Sequence, residues 1–102
     1  MTQHNVYFWL KSDTTDSQIA DFESGLKKMV TSIPQIKQSF VGSPAKTPVR
    51  PVSENSFSYS ISLLFDDVDA HNEYQVHANH DSFVADYSAL WQKVMVIDSE
   101  SM

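Results

Sequence analysis

Apolar and polar residues alternate most strictly between Phe57 and Phe65. Successive side chains of a β-strand point to opposite faces, so this alternation predicts a strand with one apolar face directed inward. That face would carry Phe57, Tyr59, Ile61, Leu63 and Phe65, with three serines and Leu64 on the opposite side. Shorter runs rich in aromatic and β-branched residues predict three more strands, at His4–Lys11, Ile36–Val41 and Lys93–Asp98.

A stripe of apolar residues at spacings of three and four follows the first predicted strand and predicts a helix. Its members are Ile19, Phe22, Leu26, Met29, Val30 and Ile33. Thr15 and Gln18 have the spacing of a capping box, in which each side chain binds the backbone amide of the other. The helix is therefore expected to begin near Thr15 and to end before Pro34.

A second helical region is predicted after the Phe57–Phe65 strand. It covers Val68–His77 and is interrupted near Ala78, where Asn79 is expected to cap a further segment. That segment carries apolar residues at helical spacing: Phe83, Val84, Tyr87, Leu90 and Trp91.

Two stretches carry no periodic pattern. Residues 43–56 contain three of the four prolines and are predicted to form a long loop. Residues 99–102 are predicted to be a frayed end.

The predicted order is strand, helix, strand, strand, helix, strand, which is typical of the ferredoxin-like split βαβ fold in the α+β class. We expect residues 1–102 to form a single domain with a four-stranded antiparallel sheet and both helices on one face. The other face would expose a row of large apolar side chains: Tyr7, Trp9, Leu64, Met95, Ile97 and, at its margin, Phe40. Covering ~600 Å² of such surface is worth on the order of 15 kcal/mol before the cost of association. A homodimer with two sheets packed face to face, a dimeric α+β barrel, is therefore predicted.

Charge and composition narrow the classes of partner. The formal net charge is −6, which disfavours binding to nucleic acid and to anionic membrane surfaces. The chain has no cysteine, no stretch long enough to span a bilayer and no pattern of a secretory signal. We expect a cytoplasmic protein without a cofactor.

The segment Glu73–His80, EYQVHANH, concentrates groups that can carry chemistry. Tyr74 and His80 would lie roughly 120° apart on an uninterrupted helix and could meet only if the helix breaks between them. If they meet, histidine can act as a general base while the tyrosine hydroxyl stabilises an enolate. Alternatively, both residues only complete the packing at a helix junction.

A metal site in this region is a further alternative. It would draw on His71, His77 and His80, with Glu73 and Asp81 nearby. None of the recognised zinc-binding spacings is present, so the sequence favours no metal site.

Four motifs resemble the stress-responsive A/B barrel domain family, often called Dabb. They are the opening HNVYFWLK of residues 4–11, the sequence Ile33-Pro34-x-Ile36 before the second strand, the spacing Tyr74-x-x-His77-x-x-His80-x-x-Phe83, and the closing VMVID of residues 94–98. The resemblance implies a ferredoxin-like fold and a dimeric α+β barrel. Members include plant stress-associated proteins and a polyketide cyclase whose pocket, between sheet and helices, uses a tyrosine and a histidine.

That resemblance implies catalytic roles for Tyr74 and His80 and a pocket position for His4. The family's usual His-Pro-x-His is His77-Ala78-Asn79-His80 here, and Tyr59 stands where the cyclase has another pocket histidine.

Residue pattern and resemblance together lead to three functional hypotheses. The first is a homodimer that binds a small, mostly apolar ligand, the second a cyclase-like or lyase-like enzyme, and the third a structural stress-protective assembly without ligand. The predicted pocket walls are His4, Val6, Phe8, Tyr59, Ile61, Phe83, Trp91, Val94 and Val96.

Overall fold

The computed structural model describes residues 1–102. Its elements are β1 (Thr2–Leu10), α1 (Asp16–Ser32), β2 (Gln38–Gly42), β3 (Tyr59–Phe65), α2 (Val68–Gln75), α3 (Ala78–Tyr87) and β4 (Trp91–Glu100), with a short 3₁₀ turn at Ser88–Leu90. The strands form one sheet in the order β2-β3-β1-β4, and each neighbouring pair is antiparallel. The predicted ferredoxin-like α+β fold is confirmed. None of the helices has the length and apolar character needed to cross a bilayer.

The predicted capping box forms at the start of α1. The Thr15 hydroxyl accepts a hydrogen bond from the Gln18 amide at 3.1 Å, and the Gln18 side-chain oxygen accepts one from the Thr15 amide at 2.9 Å. These two bonds satisfy amides that have no partner within the helix. Phe22 and Leu26 are then directed into the core, where both are fully buried.

The core lies between one face of the sheet and the three helices. It comprises twelve buried apolar residues: Val6, Phe8, Phe22, Leu26, Met29, Val30, Ile33, Ile61, Leu63, Phe65, Tyr74 and Phe83. The alternation in β1 and β3 directs every second side chain into this layer.

The start of β3 differs from the prediction. The strand begins at Tyr59, and Phe57 lies on the sheet face away from the helices, with its ring 5.2 Å from that of Tyr7 and 6.4 Å from that of Trp9. The Ser58 amide donates a hydrogen bond to the Phe8 carbonyl, and the Ser58 hydroxyl accepts one from the Leu10 amide. These bonds turn the chain just before the ladder, so the period of two does not extend back to Phe57. Its assignment to the inward face was wrong.

The C-terminal strand is longer than predicted. β4 continues to Glu100 because the first residues of β1 pair with its end, Thr2 with Glu100 and Gln3 with Ser99. The prediction of a frayed end was therefore wrong for Ser99 and Glu100. β4 is an edge strand, and the helices leave much of it open to solvent.

Large apolar side chains line a shallow pocket on the sheet face away from the helices. This outer face carries Tyr7, Trp9, Phe57, Met95 and Ile97, with Glu54 at its border. Leu64 and Phe40 lie further along the same sheet, toward β2. Ile97 is 48% exposed, and Lys93 places its ammonium nitrogen 4.5 Å from the centre of the Trp9 ring.

Candidate functional site

A break in the helical region after β3 shapes the site. α2 ends at Gln75, and α3 begins at Ala78 with His77 as its N-cap. His77 Nδ1 accepts a hydrogen bond from the Asn79 amide at 3.0 Å. The predicted break is present, but the prediction that Asn79 caps the second segment was wrong. Asn79 lies inside α3, and its side-chain amide donates a hydrogen bond to the Ser32 hydroxyl of α1 at 3.0 Å. The His77 imidazole caps the helix in place of Asn79, and Asn79 instead links α3 to α1.

Tyr74 and His80 meet because of this break. Their ring centroids lie 4.8 Å apart with the rings inclined by 68°. Tyr74 is only 1% exposed, and its ring also packs against Phe65. The two side chains come from different helices and share one wall of the core.

Two further imidazoles lie beside this pair. The His4 ring centre is 4.7 Å from that of His71 and 5.6 Å from that of Tyr74. His4 Nδ1 is 2.6 Å from Asp98 Oδ1, across the pairing of β1 with β4. Neither His71 nor Asp98 was predicted to take part in a pocket. The sequence marked Asp98 only as the last residue of the fourth predicted strand and of the closing motif VMVID.

Burial sets the protonation states at the site. It lowers the pKa of the His80 imidazole, and the Asp81 carboxylate only partly opposes this effect. Burial likewise lowers the pKa of His4 against the opposing influence of Asp98. The pKa of the Tyr74 hydroxyl is raised, again by burial. Near neutral pH the site therefore presents a neutral imidazole, which can accept a proton, beside a phenol that keeps its own.

A cavity of about 130 Å³ lies between the sheet and the helices next to these rings. Ten of its thirteen lining residues are hydrophobic. From the predicted set, the lining contains His4, Val6, Phe8, Ile61, Tyr74, His80, Phe83, Trp91, Val94 and Val96. Met29, Gln75 and Val84 complete the wall. Met29 and Val84 had a signal in the apolar helix stripes, whereas the polar Gln75 had none.

Tyr59 does not line this cavity. It belongs to a separate recess near the loop after β2, where the other lining residues include Glu23, Lys27 and Val41. Burial and the neighbouring Glu23 carboxylate raise the pKa of the Tyr59 hydroxyl. The ring of Tyr59 packs against Phe22 of α1, which lies between it and the cavity-lining Phe83.

Two residues of the wall carry a buried nitrogen without a hydrogen-bond partner. They are His80, through Nδ1, and Trp91, through Nε1. The nearest carboxylate oxygen, from Asp81, lies 3.9 Å from His80 Nδ1, which is beyond hydrogen-bond reach. Buried polar atoms are nearly always paired, so these two nitrogens are the polar groups of the wall that still lack a hydrogen-bond partner.

The cavity reaches solvent along β4. Val94 and Val96 line it, yet they are 39% and 50% exposed. The edge strand therefore forms the rim through which a small molecule could enter.

Comparisons with known proteins agree with this architecture. The family model described as the stress responsive A/B barrel domain matches residues 2–101. The chain is 23% identical over 96 residues to olivetolic acid cyclase from Cannabis sativa, a match that covers 94% of this chain and 92% of the cyclase.

Solved structures of similar fold include a dimeric ferredoxin-like protein of unknown function from Thermobifida fusca, with a TM-score of 0.79 and 17% identity over 98% of this chain and 90% of that one. A hydroxynitrile lyase from Passiflora edulis also has a TM-score of 0.79, at 16% identity over 99% of this chain and 95% of that one. At these identities the likeness to the two structures concerns the fold.

Proposed function

The chain belongs to the stress responsive A/B barrel domain family, and we propose that it acts as a homodimer that binds a small, mostly apolar molecule between its sheet and its helices. The observation that carries this proposal is the cavity of about 130 Å³ with apolar walls. An apolar cavity of about 150 Å³ is large enough to hold benzene, so the ligand is expected to present a single ring or a short branched chain.

The unpaired nitrogens of the wall add a chemical preference. A ligand with a carbonyl or hydroxyl group beside Trp91 would accept the hydrogen bond that Nε1 now lacks. A hydroxyl group beside His80 could pair with Nδ1 in either tautomer, because a hydroxyl both donates and accepts hydrogen bonds. The expected ligand class is therefore a ring compound bearing one or two oxygen atoms, such as a simple phenol or a cyclic ketone.

A thermal-shift series with simple phenols, cyclic ketones and matched hydrocarbons tests this binding. The oxygenated rings are expected to raise the melting temperature more than the hydrocarbons do, and Trp91→Phe should reduce that difference. Val96→Trp places a bulky ring at the exposed rim and should abolish the shift. Val76→Trp, at a 76% exposed position that does not line the cavity, is the matched control and should retain it.

The absence of a shift with every compound would contradict the binding function. It would favour the third hypothesis, a structural assembly without ligand.

Proton transfer is the second candidate function, and the 4.8 Å separation of the His80 and Tyr74 ring centroids favours it. In this mechanism neutral His80 removes a proton from a carbon next to a carbonyl group, and the Tyr74 hydroxyl donates a hydrogen bond to the enolate oxygen. An intramolecular aldol step then needs only a cavity that folds the substrate. The 23% identity to a cyclase supports this candidate. A substrate longer than one ring would have to extend past the rim at β4.

Exchange of ligand protons for deuterium, followed by NMR, measures the proposed proton transfer directly. His80→Gln and Tyr74→Phe are each expected to slow exchange about 10²-fold or more, which is the usual contribution of a positioned acid or base. His77→Asn keeps an N-cap side chain and should leave the exchange rate unchanged. Unaltered exchange in both active-site variants would exclude this mechanism while leaving the binding function intact.

The outer face supports the homodimer. Tyr7, Trp9, Met95 and Ile97 form a contiguous apolar surface on the sheet, and monomers seldom expose large surfaces of this kind. Packing two such faces against each other by a two-fold axis buries both at once.

A further inference from the structure

We propose that His4, His71 and Asp98 bind one divalent transition-metal ion, with Zn²⁺ as the best-suited ion. Each residue offers one ligand atom, and these atoms all lie within 4.8 Å of one another. The ligands come from three elements, β1, α2 and β4. Two imidazoles and one carboxylate form a ligand set that zinc enzymes use while leaving a fourth position for water.

The geometry requires little rearrangement. The sheet register sets His4 opposite Asp98, and their side chains already approach to 2.6 Å. His71 reaches the same point from α2. A tetrahedral ion with bonds of about 2.1 Å holds its ligand atoms roughly 3.4 Å apart, so side-chain rotations that move the ligand atoms by about 1–1.5 Å would complete the site.

Unpaired polar atoms give a second, independent reason to propose a metal site here. His71 Nε2 is buried without a hydrogen-bond partner, while its Nδ1 lies 3.1 Å from the Asn72 side-chain oxygen. A hydrogen bond at one ring nitrogen fixes the tautomer and leaves the lone pair of the other nitrogen for a metal. Thr2, two residues before His4 on the same face of β1, also has a buried hydroxyl without a partner.

The chemistry of the ligands selects the class of ion. Imidazole nitrogen suits Zn²⁺, Co²⁺, Ni²⁺ and Fe²⁺, whereas Mg²⁺ and Ca²⁺ prefer all-oxygen sites. The Asp98 carboxylate brings negative charge to the site, and its side chain is 46% exposed. An ion can therefore reach the cluster from solvent at the open edge of β4.

This site differs from the metal cluster weighed on sequence grounds. His77 caps α3 and does not belong to it, while His4 and Asp98 replace His77 and His80. Linear spacing gave no indication of the cluster, because His4 and Asp98 are 94 residues apart and His71 lies on a helix between their strands. The ion would tie α2 to the sheet beside the cavity, since His4 also lines that cavity.

Titration of the untagged, chelator-treated protein with Zn²⁺ in a calorimeter tests the site. Wild-type protein is expected to bind one Zn²⁺ per chain and to melt at a higher temperature when loaded. Co²⁺ should bind at the same stoichiometry and give visible absorption bands of a low-coordinate N/O site. Mg²⁺ should produce neither binding nor a shift in melting temperature.

Asp98→Asn and His71→Gln are each expected to weaken Zn²⁺ binding at least about tenfold, since even residues that only orient metal ligands contribute that much. His77→Asn removes the one imidazole outside the cluster and its surroundings, so it should bind Zn²⁺ within about twofold of wild type. Circular dichroism of each variant establishes that it is folded. Wild-type protein that binds no stoichiometric Zn²⁺, or folded Asp98→Asn and His71→Gln variants that bind as tightly as His77→Asn, would overturn the proposal.

Discussion

Gly25 of α1 and Tyr87 of α3 lie so close that a methyl group on Gly25 would overlap the tyrosine ring. That ring is held by Phe22 and Phe83, whose centroids lie 5.6 Å and 5.4 Å away. The contact fixes how closely the two helices approach above the sheet, and thereby helps to set the position of α3 at the cavity.

Replacement of this glycine reports on the contact. Gly→Ala in a helix usually stabilises by about 1 kcal/mol, but overlap with a held ring costs about 1–3 kcal/mol. Gly25→Ala is therefore expected to lower the free energy of unfolding, as measured by urea denaturation at fixed protein concentration.

The same substitution in a Tyr87→Leu background should raise the free energy of unfolding instead, because the obstructing ring is gone. Equal effects in the two backgrounds would show that the ring does not restrict Gly25.

The stability of the metal-free protein should fall as the pH decreases below about 6.5, the ordinary pKa of histidine. Burial lowers the pKa of His80 in the folded state, with Asp81 opposing and His71 reinforcing the shift. Protons therefore bind the unfolded chain first as the pH falls through 6.5, and the stability contributed by neutral His80 is lost from there downward. His4 contributes in the same direction.

Melting temperatures measured with EDTA from about pH 7.5 to about pH 5 check this sign. His80→Gln should show a smaller decrease than wild type over the same interval, with the remainder due largely to His4. A decrease at least as large in the variant would contradict the assignment.

Charge on the outer face should dissociate the proposed homodimer. Met95→Glu and Ile97→Glu each place a carboxylate in the proposed interface, and two-fold symmetry would bury one such charge from each copy among apolar side chains. Light scattering at micromolar concentration should give about twice 11.6 kDa for wild type and 11.6 kDa for the variants.

Val52→Glu, in the loop and 83% exposed, adds the same charge elsewhere and should leave the mass at the dimer value. A wild-type mass of 11.6 kDa would exclude the interface.

Local signals were sufficient for much of the fold. The helix that begins after Thr15 was predicted because its cap and its apolar stripe both act within a few residues. Phe57 was misplaced because its orientation depends on Ser58 bonding to β1, a partner about 50 residues away. Alternation in sequence carries no information about where such pairing stops.

In the candidate site, too, the features set by local sequence were predicted and those set by tertiary contacts were not. The helix break beside His77 was predicted from local sequence, and with it the possibility that Tyr74 meets His80. The cap itself was missed because an imidazole can accept the amide hydrogen bond usually taken by serine, threonine, asparagine or aspartate. The approach of Asp98 and His71 to His4 was missed because it depends on strand register and on the position of α2 above the sheet, which only the tertiary structure defines.

The pairing of β1 with β4 brings Met1 and Ser101 side by side. The Ser101 amide donates to the Met1 carbonyl at 2.9 Å, and the Met1 amino group donates to the Ser101 hydroxyl at 2.8 Å. A short linker could join these residues, and the chain could be reopened within residues 43–56, where no regular element would be cut. Such a circular permutant would turn the most distant strand pair into a hairpin neighbour. Its contact order would be lower, and it should fold faster to the same sheet.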